Sequence, residues 1–147
     1  MIRMVSHRRI QMARQLAIAI GAVAALMHVP PAYATPVGEC QVGAANQVEV
    51  TQCLRATLAA ADHVMGAALE RLLSRADELD GVTGRVVARP AVEQSQVAWQ
   101  AFRETTCAVP AALTAGASGS GQFQLGCTIT MARARATELN DLAAGIY

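Results

Sequence analysis

The chain has 147 residues, with 12 arginines, no lysine and 11 acids, for a formal net charge of +1. That length fits one domain. The positive balance comes from Arg3, Arg8, Arg9 and Arg14; residues 35–147 set eight arginines against all eleven acids, a net of about −3. A mildly acidic surface excludes the clustered basic footprint that nucleic-acid phosphates require, and it is compatible with a basic protein partner.

Residues 1–34 have the order of a secretory signal. Four arginines and no acid precede Leu16–Met27, a run of twelve apolar residues that is too short to span a bilayer comfortably. Pro30 and Pro31 then break the helix, and Ala32-Tyr33-Ala34 places small residues where a signal peptidase requires them. Cleavage is expected after Ala34, leaving residues 35–147 with no membrane segment. Arg8-Arg9 fits a twin-arginine signal poorly, because Ile10-Gln11 follow. Lipidation of Cys40 is excluded, since Glu39 stands where a small residue is needed and the apolar core lies far upstream.

All four cysteines (Cys40, Cys53, Cys107 and Cys127) follow the signal. An even count in an oxidising compartment reads as two disulfides, with three pairings open. Cys40–Cys53 with Cys107–Cys127 is favoured, because each pair brackets one short segment beside a helix end. Zinc is the rival use of four thiols. It fails on the absence of a C-x2-4-C knuckle, so no metal and no cofactor is expected.

From Thr35 to Ala45 the chain reads as a short extended lead. Asn46 with Glu49 three residues on has the form of a capping box. A long helix is expected from about Gln47 to Leu79, where Val50, Leu54, Leu58, Ala61, Met65, Ala68 and Leu72 make one apolar stripe. Asp80-Gly81 supplies a stop. Thr83–Arg89 is ambiguous, and Pro90 suits the first turn of a second helix running to about Cys107. Val92, Gln96, Trp99, Phe102 and Arg103 fall on or near one face of it, and Pro110 ends it. Ala115–Gly121 (AGASGSG) is a Gly/Ser loop. A third helix begins between Phe123 and Thr128 and carries Ile129, Ala132, Ala136, Leu139 and Leu142 inward. Nothing alternates with period two for long enough to form a sheet. The fold expected is all-α: an antiparallel three-helix arrangement stapled by two disulfides, with the Gly/Ser loop between the second and third helices.

Several residues carry a structural and a functional reading. Trp99, with Phe102 three positions on, suits a core position better than a binding anchor. Arg103, one turn after Trp99, suits a pairing with Asp62 of the first helix better than a clamp on a partner. Gln96 reads as a hydrogen-bonding bridge between helices. His63 is the one histidine after residue 34, and with no nucleophile or carboxylate array beside it, it reads as a surface residue. Enzyme chemistry is not expected. There is no Gly-x-Ser-x-Gly, Asp77, Glu78 and Asp80 read as solvated carboxylates at a helix end, and no Gly-Lys-Ser/Thr follows the Gly/Ser run.

Read in order, Thr51-Gln52-Cys53-Leu54, Ala61-Asp62, Ser95-Gln96-Val97-Ala98-Trp99, Phe102-Arg103-Glu104-x-x-Cys107, a Gly/Ser loop, Cys127, Thr130 and Arg135-Ala136-x-x-Leu139 form a pattern. It resembles the N-terminal domain family of the LprI-type lysozyme inhibitors, small exported bacterial proteins, over essentially all of residues 35–147. Gly116-Ala117-Ser118 stands where that family has Gly-Gly-Ser, which would strain Ala117 if the position needs positive φ; Gly119-Ser120 is the alternative counterpart. The family's Arg-Asp pair is Arg103-Glu104. The resemblance implies a periplasmic or secreted binding protein of the bacterial envelope that inhibits lysozyme or a related cell-wall glycosidase. The alternative is an accessory envelope module that binds another exported protein. The loop, through Gly116, Ser118, Gly119 and Ser120, is the candidate partner-binding segment, and the rival reading of it is a plain connection. Nothing in the sequence sets an oligomeric state.

Overall fold

The computed structural model describes residues 35–146, so the expected signal segment lies outside the described residues. Among them are four helices and no strand. They are α1 (Pro36–Gln41), α2 (Gln47–Thr83), α3 (Ala88–Leu113) and α4 (Ser120–Ala144). α2, α3 and α4 run up, down and up as the expected antiparallel three-helix arrangement. α1 is an addition, because the lead expected to be extended folds into a short helix. The Thr35 side chain accepts from the Gly38 amide at 3.1 Å, and Pro36 opens the first turn with its φ already set.

α2 begins at the expected capping box. Asn46 Oδ1 accepts from the amides of Val48 (3.0 Å) and Glu49 (3.1 Å). Glu49 reaches back to accept from the Ala45 amide (2.8 Å), one residue before the donor expected of a capping box. The stop expected at Asp80-Gly81 is wrong, for α2 continues to Thr83 and ends on Gly84, whose φ of 67° makes the left-handed cap. Asp80 is buried and serves the next helix. Its Oδ1 accepts from the amides of Val87 and Ala88, and its Oδ2 from that of Arg89, at 2.9–3.1 Å. This carboxylate supplies the cap that Val87, at the N-cap position of α3, lacks. The same hydrogen bonds hold the Asp80 carboxyl below the usual aspartate range, against the opposing effect of desolvation. Of the three acids read as solvated, only Asp77 and Glu78 are exposed, and they pair with Arg89 and Arg75.

α3 outruns Pro110, which was expected to stop it, and ends at Leu113. A proline this near the C-terminus removes one intrahelical bond, a loss that three further residues survive. α4 starts at Ser120, earlier than expected, so Ser120 and Gly121 belong to its first turn and not to the loop.

The core lies between α2 and α4. Leu54, Ile129 and Leu139 are wholly buried, and Val50, Ala61, Met65, Ala68, Leu72, Ala132 and Ala136 complete the cluster. Each large aliphatic side chain buried there stabilises the fold by about 1.5–3 kcal/mol. α1 lies across the beginning of this pair. Gly126 of α4 lets it approach, because a Cβ there would sit 2.8 Å from Val37 Cγ2. Glu39 and Arg133 then form a two-bonded ion pair at 2.9–3.0 Å that holds the Glu39 carboxyl below its ordinary range and the guanidinium above its own.

Two disulfides staple the elements. Cys40–Cys53 ties α1 to α2 and Cys107–Cys127 ties α3 to α4, with Cα separations of 5.6 and 5.5 Å. These are the favoured pairs. Among the described residues no helix is long and apolar enough to cross a membrane.

Candidate functional site

α3 is attached differently from α2 and α4. Its fully buried residues are Gln96 and Cys107, and Val92 and Trp99 pack partly buried against the core. Around Trp99 lies a polar cluster drawn from three helices. Arg103 donates to Asp62 Oδ1 of α2 at 2.7 Å, as expected, and its guanidinium carbon stands 4.9 Å from the Trp99 ring centre. The guanidinium of Arg135, from α4, lies 5.7 Å from the same ring. Arg135 is 5% exposed. It donates to Gln96 Oε1 (3.2 Å) and Ser95 Oγ (3.0 Å), and pairs with Glu138 at 2.9 Å. Gln96 is thus the helix bridge expected of it. Among the described residues no buried side-chain polar atom lacks a partner. With the two arginines stacked on the indole and satisfied within the fold, Asp62, Gln96, Trp99 and Arg103 act as a fastening for α3. Sequence reasoning missed Arg135 in this role. Its spacing from Ala132 and Leu139 places it on the buried face and was the available signal.

Phe102 departs from expectation: it is 58% exposed and lies outside this cluster. His63 is on the surface, as read. Among the described residues no group of three or more His, Cys, Asp or Glu side chains is arranged to hold a metal ion.

The connection between α3 and α4 is Thr114–Gly119. Thr114 Oγ1 donates to the Ala111 carbonyl at 2.7 Å. The amides of Ala115, Ala117 and Ser120 donate to the carbonyls of Ala112, Thr114 and Ala117 at 2.9–3.0 Å, winding the segment into successive tight turns. Positive φ falls on Ala115 (49°), Gly116 (76°) and Gly119 (104°), so Ala115 carries the strain expected of Ala117. Gly116 and Ser118 are exposed, and Gly119 and Ser120 are half-buried. The four candidate residues therefore lie close together at one tip of the helix pair, with Ser120 on the first turn of α4.

Three features stiffen and polarise that tip. Cys107–Cys127 ties its two stems. Gln122, a residue sequence reasoning did not single out, donates from Nε2 to the Gln47 carbonyl and to Thr51 Oγ1, both at 3.1 Å, and so pins the start of α4 to the start of α2. The start of α4 carries no side-chain cap and no acid in its first turn. Among the described residues the amides of Ser118, Gly119 and Gly121 have no backbone acceptor. Such free amides at a helix start present partial positive charge. Beside the tip runs a groove of about 500 Å³ lined by Gln47, Thr51, Arg55, Gly119, Gln122 and Leu125, in which Arg55 is the charged residue.

The sequence matches the family model described as lysozyme inhibitor LprI over residues 39–139, a span that takes in both disulfides, the fastening around Trp99 and the whole tip. The chain belongs to the LprI family. No curated protein and no solved structure matches it closely enough to add to that assignment. Within the matched span, the connection Thr114–Gly119 joins two helices that are covalently tied by Cys107–Cys127. The Gln96–Trp99–Arg103 register serves packing.

Proposed function

We propose that this LprI-family chain is exported by cleavage after Ala34 and acts in the periplasm or outside the cell as an inhibitor of lysozyme or a related cell-wall glycosidase. It would work by binding rather than by catalysis. The family match supports the class of activity. The observation that carries the mechanism is the α3–α4 tip, a small-residue connection on disulfide-tied stems in which the amides of Ser118, Gly119 and Gly121 have no backbone acceptor among the described residues. A retaining glycosidase holds two catalytic carboxyl groups about 5 Å apart in a groove shaped for sugar. The free amides of Ser118, Gly119 and Gly121 and the hydroxyls of Ser118 and Ser120 are donors of the size and sign such a groove receives. Each charge-assisted hydrogen bond formed there contributes about 1.5–3 kcal/mol. Holding the tip in place before binding reduces the entropy lost on docking.

The test is the clearing of a bacterial cell-wall suspension by lysozyme in the presence of the purified protein. Inhibition is expected, and the double variant Ser118→Tyr/Ser120→Tyr should abolish it while helicity is unchanged. Unchanged inhibition by that variant would remove the tip from the mechanism. A second reading, an accessory envelope module that binds another exported protein, is favoured by an apolar groove of about 390 Å³ at the opposite end, lined by Leu72, Leu79, Val92 and Leu142. Absence of inhibition across a panel of lysozymes would select it.

A further inference from the structure

The end of the molecule away from the tip sets a groove and an apolar turn side by side. The groove, of about 390 Å³, lies between the last turns of α2 and α4 and the first turns of α3, and Leu72, Leu79, Ala88, Val92 and Leu142 line it. Val82, Val86 and Val87, at the turn from α2 to α3, are 89%, 77% and 60% exposed, and Leu79 and Ile146 are 52% and 64% exposed. All five belong to the groove or its border: Val82 follows Leu79 by one helical turn, Val86 and Val87 directly precede Ala88, and Ile146 directly follows the groove residue Gly145. The turn itself does not call for valines. Gly84 closes α2 and the Asp80 carboxylate caps α3, while connections ordinarily carry polar residues. Charge at this end is also left over in one complementary pair. Arg75, Asp77, Glu78, Arg89 and Glu93 are engaged with one another. Arg85, on the valine turn, and Asp141, one helical turn before Gly145, have no ion-pair partner among the described residues.

Area decides between occupants. With the ordinary accessible areas of valine, leucine and isoleucine, the five exposures amount to roughly 500 Å² of apolar surface, near the upper end of what a monomer leaves open. A standard interface takes about 800 Å² from each partner, and between identical chains about 65% of it is apolar. That is roughly 520 Å² apiece, the amount this end offers. A small apolar ligand would fill the groove and leave the valines of the turn in water.

We infer that two copies of the chain pair through this end about a two-fold axis, each seating the valines of its α2–α3 turn in the other's groove. A two-fold axis makes every contact twice, so the projecting group and the group that receives it must lie on one patch. Here they adjoin. The same operation brings Arg85 of each copy to Asp141 of the other, a pairing that fixes the register more than it adds strength. The tip lies about 50 Å away along α2, so the dimer keeps both tips free at its two ends. The pairing stands without the function proposed above; joined to it, one dimer holds two glycosidase molecules.

The experiment is sedimentation equilibrium of the purified exported protein from about 1 to 100 µM, where a monomer–dimer equilibrium is expected. Val86→Glu puts an unpaired charge into the buried contact and should raise the dissociation constant at least about a hundredfold. Val86 is exposed in the turn, so helicity and melting at the lowest concentration should match the unaltered protein. Arg85→Asp and Asp141→Arg should each weaken the dimer, and the two changes in one chain should restore it. A monomer at every concentration, a dimer indifferent to Val86→Glu, or charge reversals whose losses add would each overturn the inference. So would a monomer that binds one equivalent of an apolar dye more weakly after Val86→Glu, which would give the groove to a small ligand. None of these readings involves lysozyme, so the result is independent of whether the tip inhibits.

Discussion

Ala115 holds a φ of 49° at the entrance to the tip, where an L-residue with a Cβ is strained by about 1–2 kcal/mol. Glycine removes that strain but adds freedom to the unfolded chain, which returns about 0.5–1 kcal/mol of the gain. Ala115→Gly is therefore expected to raise stability by about 0.5 kcal/mol in urea unfolding, with inhibition retained. A decrease would mean that neighbouring contacts, rather than alanine's own conformational cost, set this turn. Asp80 makes a different demand. Its carboxylate closes the start of α3, and its folded pKa lies below its unfolded one. A group shifted downward stabilises the fold at pH above the unfolded value, and that contribution is lost as pH falls through the folded pKa. Asp80→Ala should lower the melting temperature at neutral pH, and the gap from the unaltered protein should close as the medium is acidified below the usual aspartate range. A gap independent of pH would show that the side chain's packing, not its charge, matters.

Among elements, α3 depends most on a few specific contacts, since it buries little aliphatic surface of its own. Arg135→Leu leaves Gln96 Oε1 without its donor in a buried site and removes one of the two cations stacked on Trp99, so a loss of about 2 kcal/mol is expected. Adding Gln96→Leu should recover part of it, because the orphaned acceptor is then gone; additive losses would contradict this account of the cluster. The sequence made the three long helices legible where an apolar stripe or a side-chain cap marks them, as in Val50–Leu72 and Asn46 with Glu49. It misled where one residue serves another element. Asp80 beside Gly81 looks like a turn, yet its carboxylate is occupied by amides seven to nine residues downstream. Pro110 looks like a stop, yet it sits where few bonds remain to break. Phe102 is expected on or near the face of Gln96 and Trp99, yet its position on the helix turns it toward solvent. Arginine's ordinary preference for the surface hid Arg135. The tip's residues were legible as a Gly/Ser run. Its stiffening by Gln122 was not, because that contact joins segments more than seventy residues apart.

At the scale of the molecule, one end combines the tip, the starts of α2 and α4 and the Cys107–Cys127 staple, while the helices are also held by the α2–α4 core and the cluster around Trp99. Cys107→Ser/Cys127→Ser should accordingly retain most of the helicity while losing about 3 kcal/mol of stability, and should inhibit far less than its remaining folded fraction predicts. Inhibition in proportion to the folded fraction would make the staple a matter of stability alone. The order of the cysteines along the chain has a further consequence. Each half-cystine bonds the next one in sequence, first with second and third with fourth, and the two closed segments, 40–53 and 107–127, do not overlap. A chain threading out of a translocation pore from its N-terminal end would present each native pair together, and an oxidase taking thiols as they arrive would make the correct bonds without later reshuffling. Such a protein can mature in a compartment that supplies oxidant but little isomerase.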